Sequence, residues 1–481
     1  MIRDRGLNHW LPTYLAESLQ RYRLRQLRKR QLTHLLFFVC DHYEPRHHAK
    51  EPGQAAARIQ AWHHGYRQMQ EECFQRHGLR PVHTWFYPPH HGDEYLPALA
   101  RMAFDGLGEV ELHYHHHDDT EETLRAGLRE TLDRYHRAGL LLQLGEPPGT
   151  GFGFIHGDWA LDNSAHGRFC GVNSELSLLQ ELGCWADLTM PSSNECQTRK
   201  INSIYYAVDD RERPKSHDWG EDARIGHTGR DGLLLIQGPL GINFRGPKYP
   251  RIENASLTSA NWGSPLRIPS WIDCHVHVRE RPQWLFIKLH THGAIEADFD
   301  ALFGQKARAM HAVLAQQYND GRRFKLHYVT ARQAFNVVRA AEHGRDGDPA
   351  QFFDYELPPP VTALYCTSAP HDVKCCTPQR LRLDGLESDS TSSVLLRYPG
   401  LKRVTGRIRS LVVSAENSVL ELMPYDGSGA VSLQLAPGAA VRSLSGARIV
   451  GEGSSGELAL SGAGPIRLEY RQSLHRAAVG G

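Results

Sequence analysis

The sequence has no run of the roughly 20 consecutive apolar residues that a membrane-spanning helix needs. Its first ten residues, Met1–Trp10, are polar and charged and lack the apolar centre of a secretion signal. A formal net charge of only +1 gives no reason to expect a nucleic acid as partner. We therefore expect neither a transmembrane segment nor nucleic-acid binding.

Cysteine is also scarce, with nine residues at spacings that form no paired Cys-x-x-Cys framework. Adjacent Cys375 and Cys376 cannot easily bridge each other. This usage predicts reduced thiols and a cytoplasmic location. Cys170 and Cys184 have no basic neighbour in the sequence, and we interpret them as packing residues.

Histidine, by contrast, is abundant, with 29 residues of which many are clustered. Imidazole suits both metal binding and proton transfer near neutral pH. The remaining composition, 40% hydrophobic and 23% charged, is typical of a soluble globular protein. A chain of 481 residues can bury one large hydrophobic core and a second one.

The densest histidine cluster lies in Glu109–Thr120. Val110 and Leu112 alternate as in a strand, and Thr120 with its following glutamates predicts a helix start. If the chain is extended here, His113, His115 and His117 lie on one side of it. If it turns, His113 and His117 form a pair across the turn. Four histidines in five positions, next to two aspartates, favour a metal site over a histidine-rich surface loop.

Predicted strands and helices alternate from residue 32 to about residue 345. The first strand, Leu32–Cys40, is a largely apolar run, as expected of a buried parallel strand. Alternation of this kind predicts a parallel sheet or a (β/α) barrel with right-handed crossovers. We assign this domain to residues 32–355.

Two further regions flank the α/β domain. Residues 1–31 contain a predicted helix, Leu11–Arg30, in which six of the ten residues Arg21–Arg30 are basic. Such a helix can make peripheral contact with an anionic membrane, although packing on the domain with a solvated basic face is the simpler interpretation. Beyond a proline-rich break, residues 356–481 show short alternating runs between turn residues, which predicts an antiparallel β-sandwich or jelly roll.

Ligand-type side chains follow four of the predicted strands. They are Asp41, His42 and Glu44 after the first strand, His113, His115, His116 and His117 after the third, His156, Asp158, Trp159 and Asp162 after Phe152–Ile155, and His290 and His292 after a late strand. Because the strand ends of a barrel converge on one mouth, an acid from one and histidines from another can share a divalent ion.

At these residues the sequence resembles the polysaccharide deacetylase superfamily, and in particular a divergent bacterial branch of it. That family has an Asp-containing first-strand motif, then His-x-x-x-His, then a late strand closing on Leu-x-His or a close variant. The matching segments are Val39-Cys40-Asp41-His42, His113-Tyr-His-His-His117 and Lys288-Leu289-His290, with further local likeness in Asp41–Pro45, His156–Asn163 and Lys288–Gly293. By motif order and spacing, the resemblance covers about residues 33–345.

The resemblance implies a distorted (β/α) barrel that holds one divalent metal ion, usually zinc, and removes acetyl groups from a saccharide. It implies Asp41 as the general base and His290 as the group that protonates the leaving atom. The metal ligands would come from the first-strand motif, His42 or Glu44, and from His113 and His117. The remaining polar residues at the mouth, His156, Asp158, Trp159, Asp162 and His292, would bind the acetylated substrate.

This sequence departs from the family at three places. The second aspartate of the first motif is replaced by His42, so that Glu44 or Asp41 itself are alternative ligands. The register within the histidine run also leaves His115 or His116 as alternatives to His117. The family's arginine motif has no evident counterpart, and His156, Asp158 and Asp162 occupy the comparable place.

Two other functions fit the same residues. One is a non-catalytic carbohydrate-binding or scaffold protein of a polysaccharide assembly system. The other is a glycoside hydrolase, which needs two carboxylates across the scissile bond and would draw them from Asp41, Asp158 and Asp162. The hydrolase alternative leaves the clustered histidines without a role.

Overall fold

The computed structural model describes residues 6–471 apart from ten short gaps and four single or paired positions. The residues not described between these limits are 145–148, 193, 228–230, 246–249, 361–362, 366–371, 377–379, 388–393, 399–400, 415–417, 426–429, 436–438, 453–456 and 463. The chain forms two compact units. The first comprises Met1–Asp93, Gly106–Glu130 and Gly151–Leu357, and the second comprises Glu94–Asp105, Thr131–Thr150 and Pro358–Gly481.

Up to residue 357, helices and strands alternate. The helices are α1 Leu7–Ala16, α2 Ser18–Arg28, α3 Gln54–His77, α4 Leu96–Phe104, α5 Glu121–Arg137, α6 Glu175–Glu181, α7 Ile268–Cys274, α8 Phe299–Phe303, α9 Gln305–Gln317 and α10 Ala331–Glu342. The strands are β1 Thr33–Tyr43, β2 His83–Tyr87, β3 Gly108–Tyr114, β4 Leu142–Leu144, β5 Gly149–His156, β6 Cys184–Asp187, β7 Ile204–Ala207, β8 Glu221–Asp222, β9 Leu233–Ile236, β10 Gly241–Asn243, β11 Arg251–Glu253, β12 Trp284–Gly293 and β13 Phe324–Tyr328.

The main sheet has eleven strands and is mostly parallel. Its path runs β12-β1-β2-β3-β5-β6-β9-β7-β8, with β13 beside β1 and β4 beside β5. Pairing is parallel from β12 through β9 and antiparallel at the β9-β7-β8 edge. Among the described residues, no strand pairing joins β8 to β12 or β13, so the sheet is not closed. The mixed α/β class is thus confirmed.

Strand β1 is longer than its apolar run. The sequence predicted an end at Cys40, but pairing with β12 continues through Asp41↔Thr291 and His42↔His292 to Tyr43↔Gly293. All eleven residues of β1 are buried, as in a strand covered on both faces. Asp41 and His42, predicted to follow this strand, therefore lie within it and point to opposite faces.

Two predicted helices are each divided. The predicted N-terminal helix breaks at Glu17 into α1 and α2, and the helical stretch from Phe299 to Gln317 breaks at Gly304 into α8 and α9. In α2, Arg25 and Arg28 form ion pairs of 3.0 and 2.8 Å with Asp273. Part of the basic face is therefore neutralised within the unit, which supports a packed helix.

The second unit is dominated by two six-stranded antiparallel sheets, ordered β14-β17-β18-β21-β24-β23 and β15-β16-β19-β20-β25-β22. The strands are β14 Ala363–Tyr365, β15 Asp372–Cys376, β16 Arg380–Glu387, β17 Val394–Tyr398, β18 Leu401–Thr405, β19 Arg407–Ser414, β20 Val419–Pro424, β21 Val431–Leu435, β22 Ala440–Ser445, β23 Arg448–Glu452, β24 Glu457–Ser461 and β25 Ile466–Arg471. Leu433 of one sheet and Leu411 of the other belong to the same buried core, so the sheets pack as a sandwich.

Among the described residues, none of the helices combines the length and the apolar character needed to cross a lipid bilayer.

Candidate metal centre

Side chains from β12, β1 and β3 converge at one end of the main sheet. Residues paired in a parallel sheet share a face, so His42 and His292 point to the same side. Glu44, two positions after His42, continues that side just beyond β1. His113, near the end of β3, projects to it as well, and its ring centroid lies 4.7 Å from that of His42.

A carboxylate and two imidazoles meet at the centre of this face. Glu44 Oε1 lies 3.1 Å from His115 Nε2 and 3.8 Å from His113 Nε2. The two Nε2 atoms are 2.9 Å apart. One donor atom from each of the three residues lies within 4.8 Å of the others, so this group can hold a metal ion.

The other nitrogen of each imidazole is already engaged. His113 Nδ1 donates to the carbonyl of Ile155 at 2.9 Å, and His115 Nδ1 lies 3.3 Å from the carboxylate of Asp158. These contacts fix the tautomers and turn both Nε2 lone pairs toward Glu44, the arrangement that orients metal-binding histidines. Gly157 permits it, because a Cβ there would come within 2.5 Å of the His115 ring.

Without a cation, contacts among the carboxylate and the imidazoles decide which of these side chains are charged. Burial opposes the ionised form of Glu44, but His115 and His292 outweigh burial and hold the pKa of this carboxylate below its usual range. Burial also lowers the pKa of His115, and its bonds to Asp158 and Glu44 more than compensate, raising it to about 9. Burial and the neighbouring His115 lower the pKa of His113 to about 3.

Of the three donor residues, only His115 reaches solvent. Glu44 and His113 are buried, whereas the His115 side chain is 29% exposed. Three protein ligands with one open side are typical of catalytic metal sites, while structural sites are closed by four. The mouth of this group can therefore admit a small molecule to a bound ion.

His292 and Trp159 border the mouth. His292 Nδ1 lies 3.1 Å from Glu44 Oε2, and Glu44 raises the pKa of His292 against the effect of burial. The Trp159 ring lies 5.8 Å from His292 and 6.3 Å from His290, between centroids. The structure therefore brings His292, Trp159 and Asp158 to the mouth, together with His290.

The placement of Asp41 does not support its predicted role as the base. Its carboxylate lies on the opposite face of β1 from His42 and Glu44, where it accepts hydrogen bonds from the Tyr66 hydroxyl at 2.6 Å and the Gly293 N–H at 2.7 Å. Tyr66 belongs to α3, so Asp41 anchors a helix to the sheet. The continuation of β1 past Cys40 is the reason, since each added residue changes face.

Two predicted ligands also lie outside the donor group. His42 is buried under the rings of His113 and His292, and its Nε2 makes no hydrogen bond within the described part of the chain. His117 lies beyond the end of β3, is 75% exposed and contacts Asp118. Of the alternatives that the sequence left open, the structure brings together Glu44 and His115.

His290 does not have the surroundings of a proton donor. Burial, and then the charge of neighbouring Lys288, hold the pKa of its imidazole well below the usual range. An imidazole that is neutral at neutral pH carries only one ring proton, the one that defines its tautomer. It has no second proton to donate as an acid. The predicted role of His290 as the acid therefore finds no support in its electrostatics.

His156 and Asp162, expected to bind substrate, are fully buried away from the mouth. His156 belongs to a second group with His116, Cys170 and Glu175, in which four donor atoms lie within 4.8 Å of one another. Sequence reasoning missed Glu175 and assigned Cys170 to packing.

A third group lies at the amino-terminal end of β1, opposite the mouth. His34 Nδ1 and His327 Nε2 are 3.0 Å apart, and Asp348 Oδ1 lies 3.7 Å from His327. The second oxygen of Asp348 accepts a hydrogen bond of 2.6 Å from Lys325. This carboxylate is therefore already neutralised by a lysine.

Comparison of the chain with protein-family models, with curated proteins and with solved structures finds no match.

Proposed function

We propose that the chain is a metal-dependent hydrolase that removes acetyl groups from a carbohydrate, built on a distorted barrel of the polysaccharide deacetylase type. The observation that carries the proposal is the convergence of Glu44 Oε1, His113 Nε2 and His115 Nε2 within 4.8 Å at an open mouth. The donor set, one carboxylate and two imidazoles, suits zinc.

A divalent cation held there would supply Lewis acidity to the acyl carbonyl and to the attacking water. His113 and His115 would hold it through Nε2, because Ile155 and Asp158 occupy their Nδ1 atoms. Glu44 uses both oxygens, with Oε1 toward these imidazoles and Oε2 toward His292. Glu44 thus connects the cation site to a titratable group at the mouth.

In this proposal His292, rather than Asp41, transfers the proton. Its Nδ1 is held by Glu44 at 3.1 Å, which leaves Nε2 to exchange a proton with water and then with the leaving atom. The carboxylate–imidazole pair fixes the ring orientation and stabilises the protonated ring. Asp41, which binds Tyr66 and Gly293 on the far face, has a structural role.

Trp159 offers the surface for the sugar. Its ring is half-buried and lies beside His290 and His292. The C–H faces of a pyranose suit an aromatic platform, and a platform next to the donor group would place an acyl substituent over it. A glycoside hydrolase is less well supported, since Asp41 and Asp162 both lie away from the mouth.

One observation favours a second function, carbohydrate binding without catalysis. The aspartate expected to be the base faces α3, and neither of its oxygens is directed to the mouth. A protein of a polysaccharide assembly system that kept the site but not the reaction would bind a metal ion and a saccharide and release nothing.

The cytoplasmic location is part of the same proposal. All six cysteines whose side chains the structure describes are buried and free. Free buried thiols support a reducing compartment.

The test measures metal content and acetate release together, on N-acetylated and O-acetylated oligosaccharides. Chelation and His113→Ala should each abolish bound metal at the mouth and lower acetate release more than roughly 100-fold, since even the groups that orient a ligand are worth about 10- to 100-fold. His117→Ala, the matched control, removes an exposed histidine of the same run and should change neither.

Metal-loaded wild-type protein that binds the oligosaccharides but releases no acetate would favour the non-catalytic function. Protein that binds no metal through Glu44, His113 and His115 would overturn both.

A further inference from the structure

A second group of potential ligands lies behind the mouth and is closed to solvent. It consists of His116 after β3, His156 at the end of β5, Cys170 in the following loop and Glu175 at the start of α6. All four side chains are buried, and one donor atom of each lies within 4.8 Å of the other three.

Both imidazoles present the same nitrogen to the centre of the group. His116 Nδ1 lies 3.0 Å from the carboxylate of Asp119, and His156 Nδ1 donates to the carbonyl of Gly157 at 2.5 Å. The Nε2 atoms therefore face Glu175 Oε1, at 3.1 and 3.4 Å. Histidines that bind a metal through Nε2 are commonly fixed in this way through Nδ1.

The carboxylate and the thiol are oriented as well. Glu175 Oε2 accepts a hydrogen bond of 2.6 Å from the Asp162 N–H, which leaves Oε1 for the group. Cys170 Sγ lies 3.6 Å from Glu175 Oε2 and accepts a hydrogen bond of 3.5 Å from the Val172 N–H. A donor to sulfur stabilises a thiolate more than a thiol.

With a neutral His156, the group is left unsatisfied. A proton on His116 Nε2 serves the bond to Glu175 Oε1, but His156 Nε2 is buried and makes no hydrogen bond among the described residues. With Nδ1 as the donor to Gly157, that Nε2 carries a lone pair, and it faces a carboxylate oxygen 3.4 Å away. Two acceptors in such contact repel each other unless a cation lies between them.

We infer that His116, His156, Cys170 and Glu175 form a second metal site, structural in role, which takes zinc or a similar divalent cation. Four protein ligands and complete burial distinguish it from the three-ligand open group at the mouth. Cys170 binds as the thiolate and gives its proton to the solvent. The site does not depend on the proposed hydrolase function.

The structural role follows from the segment that the ligands enclose. His156 and Cys170 stand at its two ends, and between them six non-glycine residues adopt positive φ, a conformation that L-residues rarely hold without outside constraint. These residues are Asp158, Trp159, Asp162, Asn163, His166 and Phe169. A cation that ties both ends to β3 and α6 would fix this segment, which carries Asp158 and Trp159 of the mouth.

Cobalt(II) reports the second site separately, because only this group includes a sulfur ligand. The full-length protein is stripped with a chelator and reloaded with Co²⁺, and the thiolate-to-cobalt absorption in the near ultraviolet is recorded. We expect the absorption in wild type and in His113→Ala, and its loss in Cys170→Ser. Cys196→Ser, a change at a buried free cysteine outside the group, is the matched control and should keep it.

Zinc should also raise the Tm of wild type and of His113→Ala by roughly 5 °C or more, and that of Cys170→Ser less. If Cys170→Ser does not fold, zinc-edge X-ray absorption of His113→Ala replaces it, with one sulfur at about 2.3 Å expected.

Folded wild type loaded with Co²⁺ that shows no thiolate absorption would overturn the site, leaving His116 as an imidazolium between Asp119 and Glu175. The same holds if the absorption persists in Cys170→Ser. Loss of acetate release with the absorption intact would instead concern the mouth alone.

Discussion

The backbone N–H of Gly293 on β12 donates a hydrogen bond of 2.7 Å to Asp41 Oδ1 on β1. The contact is so close that a Cβ at position 293 would lie 2.2 Å from that oxygen and 2.3 Å from the other. The carboxylate of Asp41 thus occupies the space of the missing side chain, and its other bond holds Tyr66 of α3.

Gly293→Ala should destabilise the first unit by about 3 kcal/mol, the upper end of what overpacking costs, because the backbone of β12 cannot move without breaking its pairing with β1. Calorimetry gives the change. The matched control is the same substitution in an Asp41→Ala background, where the space is empty. A cost that is equal in both backgrounds would show that Asp41 is not the cause.

Asp41 should make stability depend on pH. Burial raises its pKa from 3.8 to about 7, although Tyr66 and Gly293 act in the opposite direction. Between these two values the folded chain keeps a proton that the unfolded chain has lost, so stability present below pH 3.8 is lost as the pH rises through about 7. The full effect corresponds to roughly 4 kcal/mol.

In metal-free protein, the free energy of unfolding should therefore fall more steeply across this pH range for wild type than for Asp41→Asn. Equal slopes for the two proteins would refute the assignment of this titration to Asp41.

Asp158→Asn should weaken metal binding at the mouth about 10- to 100-fold, since it removes the charge that orients His115 through Nδ1. Asp118→Asn is a matched control, because both aspartates have a positive φ, which asparagine tolerates. Among the described side chains, Asp118 contacts only that of the exposed His117. Metal titration followed by calorimetry compares them. Equal affinities would contradict the proposed role of Asp158.

His292→Gln should lower kcat by roughly 100-fold or more, the usual contribution of a proton-transfer group, without loss of bound metal. The glutamine amide can still donate to Glu44 but cannot exchange a proton. Metal content and steady-state kinetics are measured on the same sample. An unchanged kcat would show that His292 is not the group that transfers the proton.

Trp159→Ala should raise KM for an oligosaccharide roughly 10-fold, equivalent to about 1.4 kcal/mol, and leave kcat nearly unchanged. Trp159→Phe should restore much of the affinity. Trp219→Ala is the control, since that ring is 59% exposed and outside the mouth. An effect on kcat alone would argue against a role in binding the sugar ring.

The succession of strands and helices followed from hydrophobic patterning, because buried parallel strands are apolar runs. The hydrophobic pattern could not predict the residue at which β1 ends. Asp41 and His42 are polar, yet pairing with β12 carries the strand to Tyr43, and that continuation decides which side chains reach the mouth. Glu44 reaches it because it lies two positions after His42 and therefore faces the same side.

The donor set was only partly visible in the sequence. The spacing of His113 and His117 suggested a pair across a turn, but β3 ends at Tyr114 and His117, three residues later, is 75% exposed. Cys170 and Glu175 were missed because the intervening chain returns through irregular backbone. Trp159 and Phe169 adopt positive φ there, and nothing in the chemistry of these two side chains predicts that conformation.

His115 and His116 are consecutive, and each serves a different donor group. A single peptide unit therefore sets the spacing between the two centres and fixes their relative orientation. Inserting or deleting one residue at this point would exchange the imidazoles between an accessible environment and a sealed one. Any attempt to transplant the open centre to another scaffold would have to carry the sealed one with it.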